Sequence, residues 1–200
     1  MKKILTLLFL VVYVQAYTQE KPIKVITKDI PNRLAFYAVN ETEKDYDVQI
    51  IIKGTNFRQS SARPRLIRVP GASEVHLKTI ILTRGKKPSY TYDLTVNDSL
   101  SRRALRKEFK RVKIKPKKHI TVYVTDKCAH CDSIIQPLNE SNYIFRLYTL
   151  NENPEIKSQL KRSFSQPLDS IEAPIVNVGG RLFTTITNYD RLLEELNKEE

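Results

Sequence analysis

The sequence predicts a mixed fold, an all-β module followed by an α/β module, and three observations carry that expectation. No helical period appears before about residue 100, where short apolar-alternating runs are separated by turn residues. From residue 119 onward, β-branched runs alternate with helical patterns. The charge also changes sign between the two. Residues 1–118 carry 26 Lys and Arg against 10 Asp and Glu, whereas residues 119–200 carry 8 against 12. A swing of that size at one point suggests a module boundary.

The chain opens "MKKILTLLFLVVYVQAYTQE", with two lysines, an apolar run from Ile4 to Val14, and small residues at Val14 and Ala16. This is the charge, apolar and cleavage pattern of a secretory signal peptide over residues 1–16. The apolar run is shorter than the roughly 20 residues of a bilayer span. The expected location of the mature chain is therefore periplasmic or secreted, where disulfides persist.

Residues 17–110 read as strands. "RLAFYAV" and "DYDVQIIIKG" alternate, with Val48, Ile50 and Ile52 on one face. "EVHLKTIILTR" and "PSYTYDLTV" are rich in β-branched and aromatic residues, and Pro31-Asn32, Gly54-Thr55-Asn56, Pro70-Gly71 and Gly85-Lys86-Lys87-Pro88 mark the turns. Six or seven short strands in this length predict an immunoglobulin-like β-sandwich, here without the inter-sheet disulfide. No catalytic constellation stands out in it, and His76 reads as an ordinary strand side chain.

Residues 111–118 read as a basic linker. Ten Lys and Arg fall between Arg102 and Lys118, and "VKIKPK" would place Lys113 and Lys115 on one strand face. Aromatic interleaving is sparse, so nucleic acid is not expected as a partner. An acidic partner or an anionic envelope component fits the basic β-module; a solvated basic face is the plainer reading.

Residues 119–200 give the order strand, helix, strand, helix, strand, strand, helix. "HITVYVT" is a strand, a helix should run from Cys131 to Asn139 with a perturbation at Pro137, and "YIFRLYTL" is the second strand. Asn153 should cap the next helix, with Pro154 and Glu155 in its first turn and Ile156, Leu160 and Phe164 facing a core. "APIVNV", the Gly179-Gly180 turn and "RLFTTI" form a hairpin, and Thr187 or Asn188 caps a last helix.

The only two cysteines, Cys128 and Cys131, stand three apart directly after the first of these strands. Such a pair can exchange disulfides, hold a metal or staple a loop. Structural zinc takes four protein ligands, and only His76, His119 and His130 are available to complete a set, so no metal site is assigned. A staple across so short a loop removes little chain entropy. Redox exchange remains the favoured reading.

With "YVTDKCAHC", "LYTLNENPEIKSQL" and "EAPIVNVGGRL" in this order, residues 119–198 resemble the glutaredoxin branch of the thioredoxin-like superfamily. The resemblance implies a thioredoxin-like α/β fold and thiol–disulfide oxidoreductase activity without a bound cofactor. It also implies a cis peptide before Pro174, in a groove formed by Ala173 and Pro174 that receives an extended substrate chain beside the sulfurs. In glutaredoxins a second glycine pair and an aspartate hold glutathione. Here Thr184-Thr185 replace the glycines and Asp190 arrives late, which gives glutathione poor support and favours protein disulfides.

The chemistry also follows from the residues. A thiolate is the attacking species in disulfide exchange, and a helix N-terminus stabilises it. Cys128, just before the helix, is the expected nucleophile with a pKa below the free value of about 8.5, and Cys131, one turn in, the resolving thiol. Lys127 and His130 flank the pair and would tune the thiolate. The partners expected are protein thiols or disulfides and a further redox protein. The competing class is a non-enzymatic envelope adaptor whose cysteines are structural or bind a metal such as copper.

Overall fold

The computed structural model describes residues 22–129 and 131–198, and strands dominate them. The expected signal peptide, residues 1–16, and His130 lie outside the described residues. In the first part, β1 (Ile23–Ile30), β2 (Arg33–Asn40), β6 (Ser73–Leu82) and β4 (Phe57–Arg58) form one sheet in that order, with β9 (Phe109–Arg111) also paired to β6. The second sheet runs β7 (Ser89–Asn97), β3 (Tyr46–Thr55), β5 (Ile67–Val69), β8 (Leu105–Arg106). The two sheets share one apolar core. Alternation along β3 sends Val48, Ile50 and Ile52 inward, where they join Phe36, Val75 and Ile80 from the first sheet. Each such side chain, fully buried, contributes roughly 1.5–3 kcal/mol. The short strands β4, β5, β8 and β9 carry too few residues for alternation to reveal them, and the chain from Arg102 to Lys110 gains its strand character only from β5 and β6.

Polar groups inside this core are paired. Asp47 is fully buried and accepts from the Arg68 guanidinium and the Ser101 amide. Burial works to raise its carboxyl pKa, but these partners outweigh it and hold it below the usual carboxylate range. Asn40 donates to the carbonyls of Lys44 and Pro70 and accepts from the Thr42 amide, closing the corner between β2 and β3.

The second part is a four-stranded mixed sheet of β10 (Ile120–Val124), β11 (Phe145–Thr149), β12 (Ile175–Val178) and β13 (Arg181–Phe183), in the order β11-β10-β12-β13. β10 is parallel to β11 and antiparallel to β12, which is antiparallel to β13. Three helices cover it: α1 (Asp132–Glu140), α2 (Pro154–Lys161) and α3 (Tyr189–Asn197). Ile134 and Leu138 of α1 and Leu192 and Leu196 of α3 pack on Ile120, Val122, Val176 and Val178. Tyr123 and Ile175 point the other way, with Leu160, Ile156 and Phe164 of the α2 region. Helices thus cover both faces, as the four-residue spacing of Ile156, Leu160 and Phe164 requires.

Two local expectations are corrected. Asn153 occupies the N-cap position of α2, but its side-chain amide donates back to the Thr149 carbonyl and caps no helix amide. Asn188, by contrast, caps α3 by accepting from the Arg191 amide at 2.9 Å. The "VKIKPK" run is no strand presenting Lys113 and Lys115. It makes a single parallel bridge, Ile114 with Tyr143, and Lys113 instead donates to the Asn139 carbonyl at the end of α1. Ile114 itself is buried, and this bridge, together with the Tyr143 hydroxyl donating to Glu43, joins the second part to the first. No helix among the described residues is long and apolar enough to cross a membrane.

Candidate functional site

The strand β10 ends at Val124, and the chain turns through Asp126 and Lys127 before reaching Cys128. Three hydrogen bonds shape that turn. The Cys128 amide donates to the Thr125 carbonyl at 3.2 Å. The buried Thr125 hydroxyl donates to the Ile171 carbonyl at 3.0 Å, and the Ala129 amide donates to the Glu172 carbonyl at 3.0 Å. The loop bearing the cysteines is therefore tied to the segment leading into β12.

Cys128 and Cys131 are joined in a disulfide, with their Cα atoms 5.7 Å apart. The two sulfurs differ in access: Cys128 is half-buried and Cys131 is 7 % exposed. The helix begins later than the sequence suggests. α1 starts at Asp132, so Cys131 is its N-cap residue and lies before, not within, the first turn. Its carbonyl accepts the amides of Ile134 and Ile135 at 3.1 and 2.9 Å. Cys131 thus stands at the positive end of the α1 dipole, and Cys128 approaches that end from the preceding turn. Asp132 places a negative charge in the same first turn. Ser133 donates to the Thr187 carbonyl at 2.6 Å, fixing the start of α1 against the loop that enters α3.

Of the residues singled out from sequence, Lys127 is exposed, and its charge acts on Asp169. Asp169 is held below the usual carboxylate range, first by its hydrogen bond from Lys157 at 2.7 Å and to a smaller degree by Lys127. Ala173 is half-buried and Pro174 buried, one and two residues beyond the carbonyl that binds the Ala129 amide. The chain carrying them is therefore tied to the cysteine loop through Glu172. The peptide before Pro174 is trans, however, since no cis bond occurs among the described residues. Trans is the favoured isomer of an X-Pro bond by roughly 0.5–1 kcal/mol. Sequence reasoning missed Thr125, Ile171 and Glu172. Their roles lie in hydrogen bonds between residues more than 40 positions apart, for which no local pattern exists.

Against this geometry, one family comparison is decisive. The glutaredoxin family model matches residues 120–183, a span that begins at β10, contains both cysteines and ends with β13. Residues 120–183 are a glutaredoxin-like segment. Neither the comparison with curated proteins nor that with solved structures gave a match. The glutaredoxin-like segment and its Cys-x-x-Cys pair support a thiol–disulfide redox role in general, and domains of this kind act on thiol and disulfide groups of proteins. Among the described residues, no group of three or more His, Cys, Asp and Glu is placed to hold a metal ion.

Proposed function

We propose that this chain is an exported thiol–disulfide oxidoreductase that exchanges disulfides with protein substrates through Cys128 and Cys131. The observation that carries the reading is the disulfide between a half-buried and a buried cysteine at the start of α1, inside the glutaredoxin-like segment. A substrate thiolate attacks the Cys128 sulfur. The Cys128–Cys131 bond breaks, and its electron pair leaves on Cys131, whose thiolate the α1 dipole stabilises. A second substrate thiolate then attacks the substrate sulfur of the mixed disulfide and expels Cys128 as the thiolate. The substrate has lost two electrons and gained a disulfide, the protein pair has gained them, and protons from the substrate thiols pass to solvent or to the cysteines. Reduction of a substrate follows the same path in reverse.

Lys127 and His130 are the proposed tuning residues for the Cys128 thiolate, and Ala173 and Pro174 the proposed substrate groove. The order β11-β10-β12-β13, with one parallel pair and helices on both faces, supports a thioredoxin-like fold for residues 119–200. An immunoglobulin-like reading of residues 17–110 draws support from β1, β2 and β6 lying together opposite β3 and β7, as strands A, B and E lie opposite C and F in that fold. Residues 111–118 are the proposed linker, and the leader pattern of residues 1–16 is the support for export.

Trapping tests the reading. Cys131→Ser cannot resolve a mixed disulfide and should accumulate covalent adducts with envelope proteins through Cys128, whereas Cys128→Ser should accumulate none. Absence of adducts from both variants, together with stoichiometric metal on the purified protein, would favour the adaptor reading instead.

A further inference from the structure

The outer face of the β1-β2-β6-β4 sheet, the side turned away from the shared core, has a composition that neither the redox site nor the core explains. Register places Ile30 opposite Arg33, Arg33 opposite Ile81, and Ile81 opposite Arg58. The four therefore form one transverse row, Ile-Arg-Ile-Arg, across four strands. At a strand spacing of about 4.8 Å the row is roughly 14 Å long, and the two isoleucines alternate with the two arginines. Ile30 is 43 % exposed and Ile81 44 %. Neither Arg33 nor Arg58 makes an ion pair or a side-chain hydrogen bond among the described residues.

The next rows on the same face continue the pattern. Lys28 stands opposite Ala35, with its ammonium 4.4 Å from the Tyr37 ring centre, and Ile26, opposite Tyr37, is 37 % exposed. The acid on the row beyond these, Glu74 opposite Val39, is already covered by Lys28. Each position follows from period-two alternation: Val25 and Phe36 enter the core, so Ile26, Lys28 and Ile30 must leave it. Soluble sheets ordinarily blunt such a face with mixed charges. This one keeps three isoleucines at the surface and surrounds them with cations.

We infer that this face is a peripheral docking surface for an anionic lipid bilayer. Guanidinium groups bind headgroup phosphates, while the isoleucines between them enter the interfacial layer. Charge complementarity selects the partner. The face is cationic with one neutralised acid, and isoleucines alternate with arginines at a spacing that lets both kinds of group meet one flat surface. An acidic protein would use the arginines but has no general need of the exposed isoleucine row. The inference does not depend on the redox reading, because none of these residues belongs to the cysteine site.

The test is co-sedimentation of the full chain with vesicles of 30 % phosphatidylglycerol in phosphatidylcholine and with vesicles of phosphatidylcholine alone. The N-terminal segment, with its apolar run and two lysines, is common to every variant, so differences between variants report the sheet face. Preferential binding to the anionic vesicles is expected. It should fall roughly thirtyfold in Arg33→Gln/Arg58→Gln and roughly tenfold in Ile30→Ser/Ile81→Ser. The variant Arg33→Lys/Arg58→Lys should retain it, and Cys128→Ser/Cys131→Ser should bind as the parent does. Equal binding by all variants, or no preference for anionic over neutral vesicles, would overturn the inference. So would tight binding to polyglutamate with none to vesicles, which would assign the face to an acidic protein.

Discussion

Asp47 shows how one residue can hold a corner of this molecule. Its carboxylate is fully buried between β3, Arg68 and the Ser101 amide, so its charge depends on partners supplied by two other segments. Removing one member of such a buried pair strands the other, and Asp47→Asn should cost about 3 kcal/mol in urea unfolding at neutral pH. The folded carboxyl is held below its unfolded value of about 3.9. The wild-type advantage over Asp47→Asn is therefore complete above that pH, and it is lost as pH falls through the lower, folded value. Unfolding curves of both proteins from pH 7 down to the acid range check this; a constant difference across the range would contradict it. At the same scale the cysteines were legible in the sequence, because their spacing alone says that two sulfurs can meet. The tie from Thr125 to Ile171 was not legible, since a threonine at a strand end has many possible acceptors and only the tertiary fold selects one.

Among the elements, strands long enough to alternate announce themselves, and short ones do not. β3 sends Val48, Ile50 and Ile52 inward over ten residues, and β6 does the same with Val75 and Leu77 until a register shift moves the next inward position to Ile80. β8 and β9, two and three residues long, exist only because neighbouring strands pair with them. Gly54 illustrates a constraint that the sequence suggested as a turn but that acts inside the β3–β7 ladder. Its φ is 153°, and a Cβ there would lie 2.0 Å from the Ser89 carbonyl oxygen and 2.8 Å from the Tyr90 Cα. Both obstacles are backbone and cannot swing aside. Gly54→Ala should therefore cost roughly 2 kcal/mol or more, measured as a drop in urea midpoint with unchanged slope. Equal stability would mean that β7 can shift away. The start of α1 was placed one residue too early because capping patterns do not fix a helix boundary to the residue.

At the scale of the whole molecule, the charge swing at residue 118 coincides with a change in architecture, from two sheets sharing a core to one sheet covered by helices. Composition revealed that change; the contacts across it were invisible. Ile114, within the basic run, is buried, and its amide donates to the Asn142 carbonyl at 2.6 Å, while Tyr143 donates to Glu43. Burial, reinforced by Glu43, pushes the Tyr143 phenol well above its ordinary value, so the donor proton stays in place through neutral pH. Tyr143→Phe should speed hydrogen exchange of the Ile114 amide about tenfold, as expected for the loss of one such bond, and leave amides in β3 and β12 unchanged. Unaltered exchange at Ile114 would show that the bridge stands without the tyrosine.

The whole account turns on which sulfur a partner can reach. The most direct measurement is competitive alkylation of the reduced chain with a small iodoacetamide at neutral pH, read out by peptide mass spectrometry. Cys128, half-buried beside the start of α1, should be modified at least about tenfold faster than Cys131, which the helix start and core enclose. Equal rates, or modification of Cys131 first, would contradict it.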